Sequence, residues 1–113
     1  MPPDEGGSHW QLRELLFDLE AELRILQLWS DKTPSAVALA STQPFCYDTL
    51  TLPEWLQFVF LPRLKTLLDK GGELPSACGI APMAEEYFSG ESRNIGAVLD
   101  TLLCIDKYIA AHH

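Results

Sequence analysis

Charged side chains that lie on apolar helix faces are the residues of this sequence best suited to chemistry. Asp106 falls in the middle of the apolar face of the last predicted helix, between the directions of Ile95 and Leu99. A lone buried carboxylate costs free energy, so we expect Asp106 to be paired, protonated or close to water. Arg63, on a nearly all-apolar segment, has the same problem with the opposite charge. Arg63 is therefore the first candidate partner of Asp106, with Asp48 from the preceding loop as a second.

This group of charged residues favours a structural ion pair that fixes the register of the helices. A buried pair predicts that Arg63→Ala leaves a carboxylate without its partner and costs roughly 3 to 5 kcal/mol. The alternative is a polar ligand site formed by Asp48, Arg63 and Asp106, with Trp55 and Gln57 as its walls. An open cleft at these charges would favour ligand binding, and a sealed core would favour a structural role.

Histidines and cysteines show no arrangement typical of a catalytic or metal site. They lack the short paired spacings of a zinc site, and a cysteine nucleophile would need a histidine held nearby, whereas the histidines lie at the two ends of the sequence: His9, His112, His113, Cys46, Cys78 and Cys104. Cys104 is best explained by packing. Glu85 and Glu86 point about 100° apart on a helix, which favours an interaction with a helix N-terminus over an acid–base pair. We therefore assign no catalytic residue, no metal and no cofactor.

Composition is typical of one acidic globular domain. The chain has 113 residues, of which residues 1–7 (MPPDEGG) predict a flexible tail and residues 8–113 the folded domain. A net charge of -8 disfavours binding to nucleic acid or anionic lipid, because both repel an acidic surface. An odd number of cysteines fits reduced thiols and a cytoplasmic location. The most apolar uncharged stretch, residues 55–62, is too short to cross a membrane.

The spacing of apolar residues predicts helices and no strand. Leucines at three- and four-residue steps predict a first helix over residues 8–31, begun by Ser8. Residues 33–43 and a segment that starts at Pro82 predict short helices, and residues 92–111 predict the last long one. These elements indicate an all-α fold, an up-and-down four-helix bundle with one or two short extra helices.

A central helix is predicted over residues 53–70. Thr51 and Glu54 have the spacing of a capping box at its start, and Gly71 follows its end. Pro62 removes one backbone donor inside this helix, which predicts a kink near Phe58.

A second apolar stripe lies on the far side of the first helix. Its members fall together at helical spacing: Trp10, Phe17, Ala21, Ile25 and Leu28. The loop after the helix could fold back over these side chains. The alternative is a surface for a partner, formed by Trp10, Phe17, Ile25 and Leu28.

Five segments carry a family resemblance: residues 44–45 (PF), 48–50 (DTL), 54–63 (EWLQFVFLPR), 74–75 (LP) and 80–86 (IAPMAEE). In this order they resemble the signature of the YqcC-like family of bacterial proteins, over nearly the whole chain. The resemblance implies a small helical bundle in a family whose name is often attached to tRNA pseudouridine synthase C. Such synthases resemble one another in placing an aspartate nucleophile after an Arg-Leu pair on a large mixed sheet, whereas Arg63-Leu64 is followed here by Lys65. We therefore do not expect a self-sufficient pseudouridine synthase.

The sequence thus predicts a cytoplasmic, non-catalytic accessory or protein-interaction module, linked by the resemblance to tRNA pseudouridine modification. Its partner is another protein or a second copy of the chain, with neither direct nucleic-acid binding nor membrane association expected. The alternative is a small-ligand-binding protein or enzyme that uses the polar site around Asp48, Arg63 and Asp106.

Overall fold

A computed structural model describes residues 9–75 and 79–112 of the chain. Within these residues the protein is helical and contains no strand, which confirms the predicted all-α class. The up-and-down order of a four-helix bundle stays a prediction. The predicted tail at residues 1–7, the predicted cap Ser8, Cys78 and His113 lie outside the described residues. None of the described helices is both long and apolar enough to span a bilayer.

Helix α1 spans Trp10–Ile25, so it is shorter than predicted at its C-terminal end. Gln27 adopts a left-handed conformation (φ 61°), and the Leu28 N–H donates to the Leu23 carbonyl at 2.8 Å. This Schellman arrangement satisfies the last carbonyls of the helix and turns the chain away. The sequence gives little warning of this end, because glycine is the usual residue at the left-handed position and glutamine occupies it here.

The central helix consists of α3 (Leu52–Trp55), a π-helical turn (Leu56–Phe60) and α4 (Leu61–Lys70). The capping box is confirmed: the Glu54 N–H donates to Thr51 Oγ1, and the Thr51 N–H donates to Glu54 Oε1 at 2.8 Å. The disturbance expected near Phe58 takes the form of the π-helical turn, in which the Leu61 N–H donates to the Leu56 carbonyl. The hydrogen-bond register therefore shifts immediately before Pro62, which has no N–H to donate.

The remaining elements are short except for the last helix. Helix α2 spans Ala36–Leu39, a 3₁₀ turn spans Pro44–Cys46, α5 spans Ile80–Tyr87 and α6 spans Gly96–His112. Because α5 begins at Ile80, two residues before the predicted start, Glu85 and Glu86 lie near its C-terminal end. The expectation that the N-terminal dipole of this helix favours them is wrong.

The core is formed where α1, the central helix, α5 and α6 meet. The inner leucines of α1 are fully buried, and they face α6, which also packs against α5. The core side chains come from each of these helices: Leu12, Leu16, Leu19, Leu23, Leu56, Leu61, Leu64, Ile80, Ala84, Val98, Leu102, Ile105 and Ile109. Their burial accounts for the helical periodicity of the sequence.

Candidate functional site

Asp106 binds the N-terminus of a neighbouring helix. Its Oδ1 accepts a hydrogen bond from the Ile80 N–H at 3.1 Å, and its Oδ2 accepts one from the Ala81 N–H at 2.7 Å. These are the first two N–H groups of α5. The residue before the helix, Gly79, has no side chain that could cap them. The half-buried carboxylate thus joins α6 to α5 and is stabilised by the positive end of the α5 dipole.

The predicted buried ion pair is wrong. Arg63 is exposed and forms no hydrogen bond or ion pair with the described residues, and Asp48 is also exposed. Asp48 Oδ1 accepts a hydrogen bond from Ser41 Oγ at 2.6 Å, within the loop that precedes the central helix. The large cost expected for Arg63→Ala no longer follows, because the carboxylate of Asp106 has backbone N–H groups as its partners.

Gln57 fastens the segment after α1 to the central helix. Its side chain is 8% exposed, and its Nε2 donates to the Ser30 carbonyl at 2.7 Å. The Ser30 N–H donates to Gln57 Oε1 at 2.8 Å, so one amide satisfies both backbone groups of a single residue. Sequence analysis missed this role, and the only signal was a lone amide within an apolar run.

Trp55 and Arg63 are the two predicted site residues that lie together. They line an open groove of about 270 Å³ with other mainly apolar side chains: Phe45, Phe60, Leu64, Leu67, Pro75 and Ile80. The ring of Trp55 stacks on Phe60 with centroids 5.5 Å apart and meets the edge of Phe45 at 4.9 Å. The five predicted residues therefore do not form one site: Asp48 and Gln57 are engaged elsewhere, and Asp106 contacts the groove only through the backbone of Ile80.

Three large apolar side chains of the second stripe are exposed. Trp10, Phe17 and Ile25 are 61%, 72% and 71% exposed, respectively, and together we name them the exposed patch. Leu28 instead packs against the core, and Ala21 is half-buried. The expectation that the loop after the helix covers this stripe is wrong, because the chain leaves α1 at Gln27 toward the central helix, where Gln57 holds Ser30.

Charges around the exposed patch are unevenly paired. Arg13 forms an ion pair with Asp69 at 3.0 Å. Glu20 accepts from Arg24 at 2.9 Å and lies 3.5 Å from Lys65. Glu14 and Asp18 are exposed between these pairs and form no ion pair within the described part of the chain. The outer face of α1 therefore combines apolar side chains with uncompensated negative charge.

Two open grooves flank the exposed patch. The groove between α1 and α4, about 240 Å³, has Phe17 as one wall and the Arg13–Asp69 pair beside it. The groove between α1 and α6, about 520 Å³, is lined on the α1 side by Glu14 and Asp18 and on the α6 side by Cys104 and Lys107. Cys104 is exposed there, so the interpretation of this cysteine as a packing residue is wrong.

The first and last described residues, His9 and His112, lie close together beside Tyr108 at this second groove. His9 Nδ1 lies 2.7 Å from the Tyr108 hydroxyl, and the rings of Tyr108 and His112 stack with centroids 3.9 Å apart. Burial raises the pKa of Tyr108, because the charged phenolate loses more solvation on burial than the neutral phenol does. Among residues 9–75 and 79–112, no group of three or more His, Cys, Asp or Glu side chains could hold a metal ion.

Comparison with known sequences places the chain beside small bacterial proteins. A family model described as DUF446, tRNA pseudouridine synthase C, matches residues 11–108. The uncharacterised protein YqcC of Escherichia coli K12 is 37% identical over 103 residues, which cover 91% of this chain and 94% of YqcC. An uncharacterised protein of Haemophilus influenzae is 35% identical over 97 residues, which cover 86% of this chain and 91% of that protein.

A solved structure and a longer relative extend the comparison. The solution NMR structure of Escherichia coli YqcC matches with a TM-score of 0.83 at 36% identity, covering 94% of this chain and 91% of that one. A Pectobacterium carotovorum protein named tRNA pseudouridine synthase C is 48% identical over 83 residues. This match covers 74% of the present chain and 22% of the longer protein. The same kind of sequence therefore occurs as a short chain and as a minor part of a long one.

Proposed function

Since this chain belongs to the DUF446 family of YqcC-like proteins, we propose that it is a non-catalytic accessory domain that binds a tRNA pseudouridine synthase. The family is otherwise uncharacterised, and its link to the synthase is one of name. The Pectobacterium relative supports a physical link, because a region similar to this chain lies within a protein that bears the synthase name. Domains that occur both within a long chain and as a separate chain are good candidates for partners.

The exposed patch is the observation that carries this proposal. Trp10, Phe17 and Ile25 project from one face of a regular helix and have no cover within the described residues. Exposed apolar side chains at helical spacing, bordered by charged ones, fit a protein-binding surface. Aromatic residues at such positions also contribute strongly to binding energy.

The polar residues support a role without chemistry of its own. Asp106 and Gln57, the polar residues placed among apolar neighbours, are both engaged with backbone groups. These structural contacts account for the placement of both side chains, and the amide of Gln57 is neither an acid nor a base at neutral pH. The excess of acidic residues also argues against tRNA as the direct ligand of this domain.

Binding to the purified synthase of the same organism tests the proposal. We expect the two proteins to co-elute in size-exclusion chromatography and to give a measurable affinity by calorimetry. Phe17→Ser and Ile25→Ser should each weaken binding by about tenfold or more, because each removes an anchor from the patch. Val37→Ser is the matched control, since Val37 is 82% exposed on α2, away from the patch. A folded chain that does not bind the synthase would contradict the proposal.

A second candidate function is the binding of a small anionic ligand with an apolar body. The groove at Trp55 favours it, because stacked aromatic rings lie beside Arg63, a cation without a partner among the described residues. The anionic dye 8-anilinonaphthalene-1-sulfonate is a suitable probe. Arg63→Gln should weaken dye binding, whereas Lys70→Gln, an exposed cation outside the groove, should not. Equal dye binding by both variants would exclude the groove at Trp55 as the binding site of the dye.

A further inference from the structure

We infer that the exposed patch binds an amphipathic helix that carries lysine or arginine beside its apolar residues. This inference deepens the proposed function and rests on it, because the basic helix would be a segment of the synthase. Helix-in-groove recognition requires apolar anchors at helical spacing on both sides and a complementary pattern of charge around them. Helix α1 offers both features.

Glu14 and Asp18, which form no ion pair with the described residues, favour a positively charged partner. Glu14 lies one turn after Trp10 and one turn before Phe17, and Asp18 follows Phe17 directly. The cations of α1 form ion pairs within the chain, Arg13 with Asp69 and Arg24 with Glu20. Lys107 faces the groove between α1 and α6 as one cation against this acidic pair. A partner therefore meets apolar surface bordered by net negative charge, which attracts a basic segment and repels an acidic one.

The same charges argue against a second copy of the chain as the occupant. A symmetric dimer through α1 would bring Glu14 and Asp18 toward their own copies across the twofold axis. Each copy also carries a net charge of -8. Like charges that are desolvated together oppose association, so the apolar gain of the exposed patch would be offset.

The shape of the surface fits one helix. From Trp10 to Ile25 the patch runs about 22 Å along α1, the length of a partner helix of about 15 residues. The patch forms a ridge between the two grooves, and Glu14 and Asp18 lie on the wall of the wider one. A helix that lies along this ridge would place its apolar side chains against Phe17 and its cations toward Glu14 and Asp18 on the side of the wider groove.

Two designed peptides test this inference without the synthase. Both have about 15 residues and leucine at the same helical positions, but one has lysine and the other glutamate at the polar positions. Fluorescence anisotropy measures their binding at about 0.05 M and about 0.3 M NaCl. We expect the lysine peptide to bind more tightly, and its affinity to fall at the higher salt. Equal affinity for the two peptides would overturn the inference.

A matched pair of variants locates the effect. Glu14→Gln with Asp18→Asn should weaken the lysine peptide about tenfold and reduce its salt dependence. The control, Glu85→Gln with Glu86→Gln, changes the net charge equally on α5, where both acids are exposed, and should leave binding unchanged. Equal weakening by both double variants would show attraction to the whole acidic chain and overturn the inference. Circular dichroism checks that all variants are folded.

The synthase itself separates failure of this inference from failure of the proposed function. If the synthase binds and Phe17→Ser weakens it, but Glu14→Gln with Asp18→Asn does not, the partner segment is not basic and the proposed function stands. If the synthase does not bind while the lysine peptide binds as expected, the proposed function fails. The preference of the exposed patch for a basic helix is then still supported.

Discussion

Helices α1 and α6 pack along each other, and each carries side chains of the unexpected polarity on one face. On α6 the carboxylate of Asp106 lies among apolar neighbours, and two backbone N–H groups of α5 satisfy it. On α1 the apolar Trp10, Phe17 and Ile25 lie on the solvent side and are not covered by the described residues. The polar residue on the apolar face makes a structural contact, whereas the apolar residues on the polar face form the binding surface that we propose. Stability and binding measurements should separate these two cases.

The largest loss of stability is expected for Asp106→Ala. The change removes two hydrogen bonds to a charged acceptor and the cap of α5, so the free energy of unfolding should fall by about 2 to 3 kcal/mol. Urea unfolding measures it. Asp100→Ala is the control, since Asp100 is exposed on the same helix without a polar contact to the described residues, and should change stability by less than about 0.5 kcal/mol. Equal losses of stability in the two variants would contradict a structural role of Asp106.

Gln57→Ala should have the next largest effect. It removes both hydrogen bonds to Ser30 and leaves a small cavity, but water can reach the Ser30 backbone, so a loss of about 1.5 to 2 kcal/mol is expected. Gln11→Ala, at an exposed position of α1, serves as the control for loss of an amide. If Gln57→Ala is as mild as Gln11→Ala in urea unfolding, the segment after α1 is not held by this side chain.

Thr51→Ala tests whether burial explains the size of these losses. Thr51 also caps a helix, but it is exposed, and we expect a loss of about 1 kcal/mol. Thr42→Ala, at an exposed threonine outside the helices, should be neutral when both variants are measured by urea unfolding. A loss from Thr51→Ala that matches Asp106→Ala would show that capping, rather than burial, sets the magnitude.

The smallest change in stability is expected in the exposed patch itself. Phe17→Ser should alter the free energy of unfolding by less than about 0.5 kcal/mol, because the ring is largely in solvent in the folded chain. Its neighbour Leu16 is fully buried, so Leu16→Ala should cost about 2 to 5 kcal/mol. A loss above about 1.5 kcal/mol for Phe17→Ser would mean that the ring is covered in solution, and would contradict a free binding surface.

Much of the fold could be predicted because helices leave a periodic trace in the sequence. The leucine steps of α1 located its buried face, and Thr51 with Glu54 located the start of the central helix. The end of α1 could not be predicted, since Gln27 takes a left-handed position that glycine normally marks. The sequence indicates a start of α5 two residues late, because Pro82 is a strong local signal and the group that caps Ile80 lies on another helix.

The candidate site could be predicted only in part. Asp106 was identified as the informative polar residue because a carboxylate on an apolar face needs a partner. The partner itself was not identified, since every residue except proline has an N–H group and only the packing of α5 on α6 selects two of them. The exposed patch was visible as a pattern, but its exposure depends on where the following loop runs, and spacing does not determine that path.

The contact between Asp106 and α5 also bears on the order of folding. Helix α5 has 8 residues, a length at which an isolated helix in water is marginal at best. The carboxylate that completes its first turn lies 26 residues after Ile80 in sequence. We therefore expect α5 to form late, after α6 has docked onto the rest of the chain. Asp106→Ala should then accelerate unfolding and leave the refolding rate almost unchanged.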